Sequence, residues 1–288
     1  MATSTAPYAA CRLVEDSILE LKTKADRKPD YTGVLVTEDK VLVIDGMVCN
    51  LHLYTRLDGK LLSTSHRLGY SPMSVCLISK TEVAVCLVDS KILILSFKSI
   101  DDVKLVKTLN VRTGLDVCHS VAKLNSSDRL VVSGWKSDDD MLYWCVLNLT
   151  DGHVDSTYEV CKGDLSYLAI KDNTVYISCR SFDSTVDCVY AYDIFNPHTQ
   201  KFLYQHHGFT PNSIMVDKRN FIYVCDRYSK SIHQLTDSGQ LVTIHTVSSE
   251  PYKIFYDDQH GVLYTTNHGS NVITVYRLEY LHQPALPD

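Results

Sequence analysis

The chain has 288 residues, 45% of them hydrophobic and 22% charged, which excludes a disordered protein and provides for one large core or two ordinary ones. Its formal net charge of −6 argues against a general attraction to nucleic acid or anionic membrane. No run reaches the ~18 apolar residues of a membrane helix, and ten cysteines without a CxxC pair read as free thiols rather than a zinc or redox motif.

The first residues, MATSTAPYAACRLVEDS, contain no basic stretch followed by an apolar core. No secretory signal is expected there, and free thiols then point to a reducing, cytoplasmic setting. The sequons Asn125-Ser126-Ser127 and Asn148-Leu149-Thr150 are read as chance matches on that basis. Residues 1–11 and 283–288 read as frayed tails around a single domain over 12–282.

From residue 29 onward, short runs rich in Val, Ile, Tyr and Phe alternate with Asp, Asn, Gly and Ser turns, the sign of strands. The runs VLVID, VAVCL, LVVSG, VYISC, IYVCD and VLYTT each precede a polar stop. Their central residues, Val43, Val85, Val132, Ile177, Val224 and Tyr264, stand 42, 47, 45, 47 and 40 residues apart. A period near 44 residues, repeated six times, matches the blade of a β-propeller, about 40–50 residues for four strands. A second marker agrees in register: Pro72, Pro211 and Pro251 each lie 13 residues before their landmark and open a Pro-x-x-Ile/Val motif. Proline suits the first position of an innermost strand because it fixes φ and has no N–H to leave unpaired.

In chain order the units are 29–70, 71–115, 116–164, 165–209, 210–248 and 249–278. Unit one turns at Leu57-Asp58-Gly59-Lys60, and unit two holds the apolar strand KILILSF at 91–97. Unit three carries the acidic run Ser137-Asp138-Asp139-Asp140, and unit four a long turn at Asn196-Pro197-His198-Thr199. Unit five is the clearest: four strands separated by Asp217–Asn220, Asp226–Ser229 and Asp237-Ser238-Gly239. Unit six has only three strands. Its missing fourth is expected from the other end of the chain, at Arg12–Lys24 (RLVEDSILELKTK), which closes the ring and leaves no open sheet edge. The competing reading of that stretch is an amphipathic helix, on the spacing of Leu13, Ile18 and Leu21.

The segment PNSIMVDKRNFIYVCDRYSKSIHQLTDSGQL resembles the NHL repeat: a Pro-led strand, a turn, a strand ending in Val-x-Asp, a polar loop, a third strand and a Gly turn. Units six and one match less well, unit six having Thr266 where the pattern has Asp, and units two to four match mainly by period. The resemblance implies an all-β, six-bladed propeller like that at the C-terminal end of tripartite-motif proteins. It also implies a role in binding, such as that of the substrate-recognition part of a ubiquitin ligase. The ligase activity itself belongs to a RING domain, whose metal-ligand spacing this chain lacks.

In that geometry the loops joining second to third strands and those joining blades share one face. Candidate binding residues there are Arg112, Trp135, Lys136, Phe182, Arg227, Tyr228, Lys230 and Lys253. Arg27, Lys28, Arg67, Arg112, Lys136, Lys162, Arg227, Lys230 and Lys253 are candidates for phosphate contact, and Trp135, Phe182 and Tyr228 for base stacking. Asp45, Asp89, Asp138–Asp140, Asp183 and Asp226 lie in the same loops, so the sign is mixed. The first expectation is therefore a protein or peptide partner, and the alternative is single-stranded RNA. A second alternative is a metal-dependent lactonase or lyase, with ligands from Asp45, Asn212, Asp226, His119 or His268. No catalytic motif is present, the twelve histidines show no shared offset, and Asp45 and Asp226 read as turn formers. No enzyme activity, metal or cofactor is expected. Trp144 is expected in the core, and Trp135, at a strand end, on the surface.

Overall fold

The computed structural model of the chain describes residues 11–21, 28–37, 40–57, 60–99, 102–111, 114–124, 127–181 and 187–280. Every regular element among them is a strand. β1 (Cys11–Glu20) comes first. Blade one is β2 (Tyr31–Val36), β3 (Lys40–Asp45), β4 (Asn50–Leu57) and β5 (Lys60–Arg67); blade two is β6 (Pro72–Ser79), β7 (Glu82–Leu87), β8 (Lys91–Phe97) and β9 (Val103–Asn110). Blade three is β10 (Val117–Lys123), β11 (Arg129–Lys136), β12 (Met141–Asn148) and β13 (Val154–Lys162); blade four is β14 (Leu165–Lys171), β15 (Thr174–Arg180), β16 (Cys188–Asp193) and β17 (Gln200–Tyr204). Blade five is β18 (Pro211–Val216), β19 (Ile222–Asp226), β20 (Ser231–Leu235) and β21 (Leu241–Thr246); β22 (Pro251–Asp257), β23 (Val262–Asn267) and β24 (Val272–Tyr280) follow.

These strands form six four-stranded sheets, and the last has the order β1-β24-β23-β22. The first strands of successive blades contact one another in a circuit, β2, β6, β10, β14, β18, β22 and back to β2, so the architecture is a closed six-bladed propeller. The N-terminal stretch is a strand and not a helix. It pairs with β24 from Cys11↔Tyr280 to Glu20↔Val272, with one bulge between Glu15 and Ser17. A helix there would leave the outer edge of β24 unpaired.

The core is divided into six clusters, each lying between two neighbouring blades. Strand alternation produces this division. In β3, Leu42 and Ile44 face blade two while Val43 faces blade six; in β19, Ile222 and Val224 face blade four while Tyr223 and Cys225 face blade six. Because both faces of a second strand are buried, its sequence reads as an unbroken apolar run. Cys86, Cys118, Cys145, Cys179, Cys188 and Cys225 fill these interfaces as free thiols. Trp144 is fully buried between blades three and four.

Pro72, Pro211 and Pro251 are the first residues of β6, β18 and β22. In each case a bulge follows, between Pro72 and Ser74, Pro211 and Ser213, and Pro251 and Lys253. Glycine is required where blade backbones close up: a Cβ on Gly134 would lie 2.2 Å from the Val117 carbonyl oxygen.

Candidate functional site

Chain direction puts the loops between second and third strands and those between blades on one face, since every innermost strand starts there. On it the aspartates at the ends of β3 and β19 shape the loops. The N–H groups of Asp30, Met47 and Val48 donate to Asp45 Oδ1 at 3.2, 3.0 and 3.5 Å. The N–H of Ser229 donates to Asp226 Oδ1 at 3.3 Å. Both carboxylates are buried, as turn formers that satisfy their own loop backbone.

A repeated pair behind these loops corrects the expectation that the histidines share no offset. His52 and His233 lie seven residues after Asp45 and Asp226, each with Nε2 4.0 Å from the second carboxylate oxygen. Burial pushes the His52 pKa down, and burial, with His206 and His245 adding to it, pushes His233 down to about 4. Tyr204 Oη and His233 Nδ1 share a hydrogen bond of 2.8 Å. The signal, D-x6-H in both units, was present in the sequence.

The Arg227–Lys230 loop is tied to blade six. Arg227 Nε donates to Glu250 Oε2 at 3.2 Å, its Nη2 lies 2.9 Å from His268 Nδ1, and its guanidinium sits 5.2 Å from the Tyr228 ring centroid. Tyr228 is 65% exposed above this support. Lys230 takes φ 52°, which turns the chain into β20 and leaves its side chain exposed. Met47 and Tyr70, 58% and 51% exposed, lie in loops of the same face, and Lys91 Nζ stands 4.6 Å from the Tyr70 centroid. Beside blade five a cavity of about 330 Å³ opens between Asp187, Gln205, His206 and Phe209.

The candidate residues do not converge on one patch. Arg227, Tyr228 and Lys230 share a loop. Lys136 is half-buried with its Nζ 3.9 Å from Asp139, on the loop of blade three. Arg112 and Phe182, like Arg27 and Asp183, lie outside the described residues. Two placements are corrections. Trp135 is not an exposed side chain: it is half-buried and packs with Val131, Trp144 and Cys179 between blades three and four. Its backbone pairs with Val117 and Leu142, and that register turns the indole toward blade four.

Lys253 is not on the face at all. It is 4% exposed, with Nζ 3.0 Å from the Tyr167 ring centroid and 5.1 Å from that of Tyr252, and no hydrogen-bond partner among the described residues. Its place in β22 explains this, because it follows the bulge as Ser74 and Ser213 do and so belongs to the channel wall. Burial drives its amine well below the ordinary lysine value. The Pro-x-Ser and Pro-x-Lys alignment was visible in the sequence; what the position meant was not.

Two further cations of the face are paired. Arg180 makes a two-pronged contact with Asp164 at 3.2 and 3.0 Å, and Lys91 contacts Asp89. Among the described residues no group of three or more His, Cys, Asp or Glu side chains is placed to hold a metal ion.

No family model matches the sequence, and no curated protein matches it either. Solved structures do. The WD40 β-propeller domain of Doa1 is 14% identical with a TM-score of 0.61, over 92% of this chain and 96% of that one. The luciferin-regenerating enzyme is 14% identical with a TM-score of 0.65, over 92% and 95%. BamB from Moraxella catarrhalis is 16% identical with a TM-score of 0.53, over 87% and 70%. A WD40 domain and an enzyme thus share this architecture, and the likeness establishes the propeller fold alone.

Proposed function

We propose that this chain is a non-catalytic interaction module, of the NHL-repeat kind, that binds a protein or peptide through the face bearing Tyr228. The observation that carries the reading is an exposed aromatic held in place from below. Tyr228 is 65% exposed, and its loop is fixed by Asp226 and by the Arg227 contacts to Glu250 and His268. A rigid aromatic loses little conformational freedom on binding, which is why Tyr and Arg recur at interface hot spots. Met47 and Tyr70 give the same face further exposed apolar surface, and the cavity beside His206 adds a concave, largely polar recess.

Single-stranded RNA is the weaker reading, because Arg180, Arg227, Lys91 and Lys136 already face carboxylates, and paired charges present little field to phosphate. By the tripartite-motif resemblance, the module serves as a substrate-recognition part in the cytoplasm, a setting that suits its free thiols. The test is crosslinked capture from cells with the full chain and with Tyr228→Ala. A captured protein that falls at least tenfold with the variant, at unchanged melting temperature, supports the reading. Capture unaffected by Tyr228→Ala overturns it, and tight RNA capture in a parallel crosslink moves the assignment to RNA.

A further inference from the structure

The innermost strands enclose a channel whose cavity measures about 250 Å³, smaller than most drug-sized pockets. Its lining runs from Ser120, Tyr167, Ser213 and Lys253 at one level to Leu77, Ile170 and Val216 at the other. The first four are buried and the last three are half-buried, so the mouth lies at the hairpin turns joining first and second strands. That is the face opposite Tyr228. Lys253, packed on Tyr167, lines the buried end of the cavity.

A buried polar group without a partner calls for an explanation. An ion pair does not supply one here. Among the described residues Lys253 Nζ makes no salt bridge and no hydrogen bond, and Asp30, the one carboxylate whose charge reaches it, favours the ammonium less than burial disfavours it. The titratable groups around it are Asp30, Cys86, His119, Tyr167, Cys225 and Tyr252. Burial pushes the Cys86 and Cys225 thiols up, so they stay neutral and lend no charge to hold an ammonium. The His119 pKa is pushed down to about 4, chiefly by burial, so this imidazole is neutral as well. Burial thus holds the Lys253 amine closer to its neutral, nucleophilic form than a surface lysine.

We propose that Lys253 is a reactive amine at the buried end of the channel, which captures a small aldehyde with an apolar body as a reversible imine. The Nζ lone pair attacks the carbonyl carbon, and the carbonyl π electrons move to oxygen, which takes the proton that nitrogen gives up. The carbinolamine then loses its hydroxyl and the second amine proton as water, leaving a C=N bond. No oxidant or reductant is consumed, and the returning water reverses the reaction. Leu35, Leu77, Ile170, Val216 and Phe255 suit the alkyl part of such a ligand.

The experiment incubates the folded chain with pentanal and cyanoborohydride at pH 7 and maps the alkylated lysines by mass spectrometry. The expected result is Lys253 labelled at least tenfold faster than any surface lysine, with this preference shrinking as the pH approaches 10. Lys253→Met and Lys253→Arg remove that label. Labelling confined to surface lysines, or of Lys253 only after denaturation, overturns the proposal. If neither variant folds, the map of the unsubstituted protein decides alone. Because the site opens opposite Tyr228, Tyr228→Ala leaves this labelling unchanged, and the two readings fail separately.

Discussion

Arg227 and Lys253 are two cations on adjacent blades, and in sequence both read as rim residues. Arg227 ends up at the surface, tied to Glu250 and His268 and laid beside Tyr228. Lys253 ends up inside, against Tyr167, with no partner. The difference is one of register. Arg227 directly follows the last residue of β19, where the chain leaves the sheet, whereas Lys253 is the third residue of β22, just after the bulge. Charge on the rim is satisfied and screened; charge in the channel is desolvated, which drives the amine well below the ordinary lysine value.

The largest expected effect tests the channel wall. Tyr167→Ala removes the ring on which Lys253 rests and a buried side chain between blades four and five, and should cost about 3–5 kcal/mol in denaturant unfolding. A smaller loss would mean that the ring is not part of the packed wall. Next comes the rim: Tyr228→Ala should reduce partner capture by at least tenfold, about 1.4 kcal/mol, while moving stability by less than about 0.5 kcal/mol.

Acid should probe the ground between the two regions. His119 and His233 have folded values near 4, below the ordinary 6.5. The unfolded chain therefore binds more protons between pH 6.5 and 4, and stability falls as the pH drops through that window. His233→Gln should lower the pH of half-unfolding; equal acid sensitivity of variant and parent would show that His233 is not held neutral. Lys253→Met exchanges an unpartnered amine for an apolar chain of similar length and should leave stability unchanged or raise it by about 1 kcal/mol. A loss of several kcal/mol would indicate a hidden charge partner. The smallest effect belongs to Arg227→Ala, about 1 kcal/mol or less in thermal unfolding, because its ion pair is solvent-facing.

The fold was largely legible because its determinants are local. The six apolar runs became β3, β7, β11, β15, β19 and β23, and the three prolines opened innermost strands. The site was legible only where it is local too. Asp45 and Asp226 organise their own loops, and Tyr228 is exposed because its loop is short and polar on both sides. Trp135 was misread because part of its surroundings, Cys179 among them, comes from blade four, remote in the chain. Lys253 was misread because the ring of Tyr167 lies across the channel, two blades away.

Taken alone, the sequence determined strand spacing and blade number, since period and turn chemistry are written in neighbouring residues; pairing with β24 decided that the N-terminal stretch is the closing strand. Tertiary structure alone decided which side chains share the channel and which cations find partners. Those outcomes depend on bringing together strands that are remote in sequence, and no local pattern records what a side chain meets across the ring.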